Sequence, residues 1–150
     1  MLRDVEGFKP GDLMGNLQSF QHIKADSAVF VPKGLDPAAA VIDCLINVMM
    51  TTLMTTTAST GDKVIISGAG PVGFLAAHLF KRSGYDVMVI DPIESRLEMI
   101  RASGISQTAT VAPLHDPEWM HKVALVVDCS GHESAVLDEC RHCTWENTVV

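Results

Sequence analysis

The 150-residue chain is short of positive charge: 11 lysines and arginines stand against 18 acidic residues, for a net charge of -7 at pH 7. Without a basic excess to neutralise phosphates, nucleic acid and anionic membrane surfaces are excluded as expected partners. Long apolar runs are also scarce. No basic stretch leads into an apolar segment at the N-terminus, and the longest such run, Pro37 to Met50, is interrupted by Asp43 and Asn47. The expectation is a soluble, cytoplasmic protein with no membrane partner. Four cysteines without a secretory leader point to reduced thiols or metal ligands rather than a disulfide framework. Internal repeats are lacking, and the nearest thing to a biased tract is the threonine-rich Thr51 to Thr60.

What the chain does hold is core-forming material, 47% hydrophobic residues against 19% charged ones, a globular balance at a length suited to one ordinary domain. It divides near Gly61. Residues 1–35 contain short β-prone pieces such as Ala28-Val29-Phe30-Val31, with turn signals at Lys9-Pro10-Gly11 and Lys33-Gly34, and read as the remnant of a β-rich unit. Residues 36–60 read as a helix and linker: Asp36 followed by Pro37 starts a helix that Ala38 to about Leu53 continues. From residue 61 to 150, short apolar runs alternate with amphipathic stretches, as parallel strands covered by crossover helices require. Val64-Ile65-Ile66 is a first strand, Val72 to Ser83 a helix with Val72, Leu75, Ala76 and Leu79 on one face, and Val87 to Ile90 a second strand. Ile93, Leu97 and Ile100 mark the next helix, closed by Gly104, and Thr108 to Val111 is a weaker third strand. Val123 to Val127, a helix from Glu133 to about Arg141, and a strand beginning at Thr148 complete an α/β, doubly wound parallel sheet that looks unfinished at its last edge. An exposed edge there favours pairing, hence a homo-oligomer, or aggregation.

The chemistry is carried by Gly68-Ala69-Gly70-Pro71-Val72-Gly73. A lone GxGxxG is weak evidence, but this one follows an apolar strand, opens a helix and is followed about 20 residues on by Asp91 at the end of the second strand. Gly68 permits the tight turn, Gly70 lets backbone approach a pyrophosphate, and Gly73 lets helix and strand pack closely, while the free amides at the helix start, beside Pro71 and Val72, face the anion. Asp91 is placed to accept hydrogen bonds from adenosine ribose hydroxyls and to repel a 2′-phosphate, which favours NAD over NADP. Arg96, five residues beyond the acid, is a second adenosine-side candidate beside the alternative of a solvated helix charge.

The stretch Gly61 to Gly73, with Asp91 and Arg96-Leu97, resembles the cofactor domain of medium-chain, zinc-type alcohol dehydrogenases. Upstream, Phe8-Lys9-Pro10-Gly11-Asp12, Ser19-Phe20-Gln21-His22 and Val31-Pro32 resemble pieces of that family's GroES-like barrel and its approach to the interdomain helix. The resemblance implies an NAD-dependent oxidoreductase that moves a hydride between an alcohol or carbonyl substrate and nicotinamide, with zinc in the complete enzyme. It also implies that this chain supplies mainly the cofactor half. In zinc members a cysteine on the helix before the glycine turn is often the third catalytic ligand, and Cys44 matches that position; the alternative is a small buried hydrophobe among Ile42, Leu45 and Ile46. One thiolate cannot hold a catalytic zinc, which takes three protein ligands and an open position, so the catalytic residues stay unassigned. Val48-Met49 stands where a Thr-Ala pair usually helps shape the nicotinamide pocket, and Trp145-Glu146-Asn147 replaces the usual glycine-rich turn before the last strand. Other features read as ordinary structure: Gly131-His132-Glu133, the Cys140 to Cys143 spacing, His115 and His121 around Trp119 as a surface loop, the Met49, Met50 and Met54 cluster, and Asp128 as a turn or adenosine-side residue. A non-catalytic NAD-binding module is the rival reading, and a flavin-binding Rossmann domain a third.

Overall fold

The computed structural model describes residues 31–113, 115–140 and 143–149. The chain forms two compact units, Met1–Val41 and Ile42–Val150. The β-prone pieces upstream of residue 31, including those around Lys9 and Phe20, lie outside the described residues. What is described of the first unit ends in a short helix, α1 (Pro37–Ala40), started as its sequence demands: Asp36 accepts the Ala38 amide at 3.0 Å and Pro37 occupies the first turn.

The second unit begins with α2 (Asp43–Thr55). A single helix from Ala38 to Leu53 is therefore not observed. Val41 and Ile42 fall outside both pieces, and this β-branched pair is the part of the stretch least suited to helix. Taken together, residues 37–55 have a mean hydropathy of 1.6 and are long and apolar enough to cross a membrane by length and composition alone.

Beyond it the chain alternates strand and helix: β1 (Lys63–Ser67), α3 (Pro71–Arg82), β2 (Asp86–Ile90), α4 (Glu94–Ala102), β3 (Thr108–Ala109), β4 (Val123–Asp128), α5 (Glu133–Cys140) and β5 (Cys143–Val149). All paired strands are parallel, in the order β3-β2-β1-β4-β5. The apolar runs become strands because both of their faces are covered. Val64, Ile66, Val87, Val89, Leu125 and Val127 pack into one core with α3 and α4, while Ile65, Met88, Ile90, Val123 and Val126 form the other around Trp119. Trp119, read from sequence only as part of a surface loop, is 3% exposed and plugs this second face.

Helix α3 buries Gly73, Ala76, Ala77 and Phe80, the i, i+3, i+4, i+7 stripe of a helix on a sheet. Of the expected Val72, Leu75, Ala76 and Leu79 face only Ala76 is fully buried; the buried face is rotated from the other three, because Gly73 must lie against the turn that precedes the helix. Burial of Phe80 alone contributes about 2 kcal/mol. At α4, Leu97 and Ile100 are buried as expected, but Ile93 caps the helix and is 44% exposed. Trp145, Glu146 and Asn147 lie within β5 rather than in a turn. There Val123 and Leu125 of β4 pair with Cys143 and Thr148, so β5 places more residues than β4 between the same two rungs, a bulge that absorbs them without ending the strand. At the opposite end of the sheet from the glycine turn, Lys63 binds Asp86 at 2.8 Å and lies 4.3 Å from the Trp119 ring, while Gln107 donates to the other Asp86 oxygen.

Candidate functional site

Chain order reverses between β1 and β4: the strands after β1 run outward on one side, and β4 and β5 lie on the other. A crevice opens at such a switch point, beyond the carboxyl ends of the strands. Here it has a volume of about 390 Å³ and is lined by Gly68, Gly70, Asp91 and Arg96 on one side and by Ser130 and His132 on the other.

Gly68 makes the turn with φ of +91°, and its amide donates to the Ile90 carbonyl at 2.7 Å. A Cβ at Gly68 would meet the Cys129 backbone at 2.9 Å. One at Gly73 would stand 1.7 Å from the Gly68 carbonyl oxygen, so these two glycines are what let α3 start directly over the end of β1. Gly70, by contrast, faces open space. It caps α3 without a side-chain bond, and no acidic residue occupies the first turn. The helix therefore presents its start, with its partial positive charge, to the cleft. Val72 is half-buried beside it and Pro71 exposed.

Asp91 is 2% exposed. One carboxylate oxygen accepts the Ala69 amide at 2.8 Å and the Arg96 guanidinium at 3.3 Å, and the other accepts the Ile93 amide at 2.8 Å. Burial pushes the Asp91 carboxyl upward, but the amides of Ala69 and Ile93 together with Arg96 outweigh it and hold the group below the usual carboxylate range. The acid thus ties the end of β2 to the middle of the glycine turn. Arg96 is 46% exposed, so its pairing is the loose member of this set.

The structure brings Gly68, Gly70, Gly73, Asp91 and Arg96 together as the spacing predicts. It leaves Cys44 apart, as an exposed thiol on α2, not the buried side chain that the apolar neighbours suggest. No group of three His, Cys, Asp or Glu side chains able to hold a metal exists among the described residues. The lining from the β4–α5 loop was not assigned by sequence. Asp128 accepts both the amide and the hydroxyl of Ser130, whose oxygen accepts the His132 amide. This shapes the loop and gives Asp128 its turn role. The signal in the sequence was the Asp-x-Ser spacing of an Asx turn.

Comparison with known proteins agrees with this geometry. Residues 62–114, which hold β1, α3, β2, α4 and β3, match the model of an FAD binding domain. Flavin and nicotinamide dinucleotide enzymes use the same glycine-rich turn. Over 83 residues the chain is 40% identical to the L-threonine 3-dehydrogenase of Streptomyces avermitilis, spanning 55% of this chain and 23% of that one. The chain thus spans about a quarter of the length of the curated relatives it matches. Among solved structures, the acetophenone reductase of Geotrichum candidum in complex with NAD superposes with a TM-score of 0.73 at 21% identity, over 84% of this chain and 37% of that one. The zinc-dependent alcohol dehydrogenase 2 from Streptococcus pneumonia gives 0.69 at 20% identity, over 84% and 39%. The parallel sheet and the placement of the glycine turn agree with these likenesses: the chain is similar in sequence to part of the L-threonine 3-dehydrogenases and shares its fold with part of these dehydrogenase and reductase structures.

Proposed function

We propose that this chain binds NAD and forms the cofactor-binding part of an oxidoreductase that moves a hydride between an alcohol or carbonyl substrate and nicotinamide. The observation that carries the reading is the buried Asp91 carboxylate, bonded to the turn amide of Ala69 and opening onto a cleft that also receives the start of α3. The pyrophosphate lies over Gly70, where an added Cβ would meet no atom within 4 Å, and takes the free amides of the first turn. The adenosine ribose faces Asp91. The oxygen bonded to Ile93 keeps one lone pair for a hydroxyl, and the other becomes available when Arg96 swings outward. A 2′-phosphate would bring negative charge against a carboxylate that stays ionised at neutral pH, so NAD is preferred to NADP. Gly68 and Gly73 shape the turn, and Pro71, Val72 and Arg96 border the ligand.

The relatives' zinc does not fit the described residues. Cys44 is exposed and no second or third ligand gathers near it among them, so no step is derived through a metal and the substrate stays at the level of an alcohol or carbonyl compound. The organisation we infer is a β-rich remnant over 1–35, a connecting helix and linker over 36–60, and a nucleotide-binding domain over 61–150, in a soluble, cytoplasmic protein. Calorimetry of the 150-residue chain with NAD, NADP and FAD is the test. NAD binds tightest; equal affinity for NAD and NADP would remove the role given to Asp91, and tighter binding of FAD would overturn the nicotinamide reading. The chain by itself oxidises alcohols little or not at all, and robust metal-dependent turnover would refute its standing as the cofactor part alone.

A further inference from the structure

The floor of the cleft holds a polar side chain that neither the turn nor the sheet uses. Ser67 ends β1, where Val64, Ile65 and Ile66 precede it, and is 2% exposed. It lines the cleft, yet its hydroxyl has no hydrogen-bond partner among the described residues. Its backbone is fully employed, since the Ser67 carbonyl accepts the Cys129 amide at 2.7 Å and the residue sits in register with Ile90 on one side and Asp128 on the other. The hydroxyl is therefore a dispensable part of the fold. An unpaired buried hydroxyl is less stable than an apolar group of the same size, and buried orphans are rare enough to need a reason. Ser130, nearby in the same cleft, does satisfy its hydroxyl, on Asp128.

We propose that the Ser67 hydroxyl is a ligand contact, donating to an oxygen of the ribose–phosphate portion of a dinucleotide's ADP half. This rests on the NAD-binding reading above. The position follows from the chain: Ser67 directly precedes the glycine turn that faces the pyrophosphate, and its partner Ile90 directly precedes Asp91. The side chain therefore lies between the two groups that would hold the phosphates and the ribose, where the ligand offers phosphate and ribose oxygens able to accept its hydrogen bond. Ser67 is then a binding residue outside the glycine motif, and an otherwise destabilising group is retained for the ligand's benefit.

The experiment is a pair of measurements on the 150-residue chain and its Ser67→Ala variant: calorimetric affinity for NAD and for ADP, and the melting temperature without ligand. The variant is expected to bind both ligands about tenfold more weakly, the loss of one hydrogen bond to a charged acceptor, while melting at or above the wild-type temperature. Opposite signs in binding and stability are the signature, because a side chain that merely holds the fold would lower both. Unchanged affinity in the variant overturns the assignment of Ser67 and leaves the NAD reading standing. So does a loss for NAD without one for ADP, which places the contact on the nicotinamide side, or a weakened affinity accompanied by a lower ligand-free melting temperature. Failure of the wild-type chain to bind NAD or ADP at all overturns both readings.

Discussion

Replacing Gly73 by alanine and, separately, Gly70 by alanine separates what the glycine turn does for the fold from what it does for a ligand. At Gly73 the new Cβ would stand 1.7 Å from the Gly68 carbonyl oxygen, whereas 3.4 Å begins ordinary contact. Neither side can yield cheaply. The Gly68 amide is tied to Ile90, and the helix is pinned by Ala76, Ala77 and Phe80, all 0% exposed. Relief requires α3 to lift by well over an ångström, opening the core beneath it. Overpacking commonly costs about 1 to 3 kcal/mol. With backbone on both sides the upper end applies, offset by up to about 1 kcal/mol of better helix propensity. The net expectation for Gly73→Ala is a loss of about 2 kcal/mol or more, and a melting temperature lower by roughly 10 °C. Gly70 has φ of -71° and nothing within 4 Å of an added Cβ. Gly70→Ala should keep or slightly raise stability, by up to about 1 kcal/mol through the unfolded chain, while its methyl occupies the space assigned to the pyrophosphate and sharply weakens NAD binding. Urea unfolding and NAD calorimetry on both variants provide the measurements. A Gly73→Ala chain within about 0.5 kcal/mol of wild type, or a Gly70→Ala chain that binds NAD unchanged, would refute the reasoning.

The Asp91 carboxyl titrates below its unfolded value of about 3.9 because of Ala69, Ile93 and Arg96, so its contribution is present above pH 4 and lost as pH falls through the folded value. Acid unfolding of wild type and Asp91→Asn should therefore converge at low pH and differ at neutral pH, and a constant difference would refute this. Arg96→Gln removes a partner that is 46% exposed and should change stability by less than about 0.5 kcal/mol, while carboxyl NMR shows Asp91 titrating higher than in wild type. Lys63→Met removes the cation over Trp119 and the Asp86 ion pair; a loss of about 1 kcal/mol with a shifted tryptophan emission is expected, and an unaltered spectrum would count against the contact.

Much of the fold was legible because its causes are local. Val64 to Ile66 and Val87 to Ile90 are apolar runs between turn residues, and Gly68, Gly73 and Asp91 belong to a spacing with a mechanical reason at each position. What was not legible depends on distant partners. Nothing near Trp119 in sequence shows that a sheet face waits for it. The rotation of α3 follows from where Gly68 places its carbonyl, and Ile93 leaves its helical stripe because the Asp91 side chain claims its amide. The cleft walls at Ser130 and His132 come from a loop whose periodicity says nothing, and Ser67 reads as an unremarkable strand end until its surroundings are seen. Residues 145–147 stand where the resembled family usually turns before its last strand, which makes a turn the expectation, yet they lie within β5, between the rungs at Cys143 and Thr148 that pair with β4.

Asp91 faces two ways, and this constrains how the molecule could change. The carboxylate to which we assign selection of the ribose is also the clasp between β2 and the glycine turn. A chain drifting toward the 2′-phosphorylated cofactor therefore cannot simply discard the acid. It would first need another acceptor for the Ala69 amide, so selectivity and architecture must be exchanged together, and single-step switches of cofactor preference should be unstable intermediates.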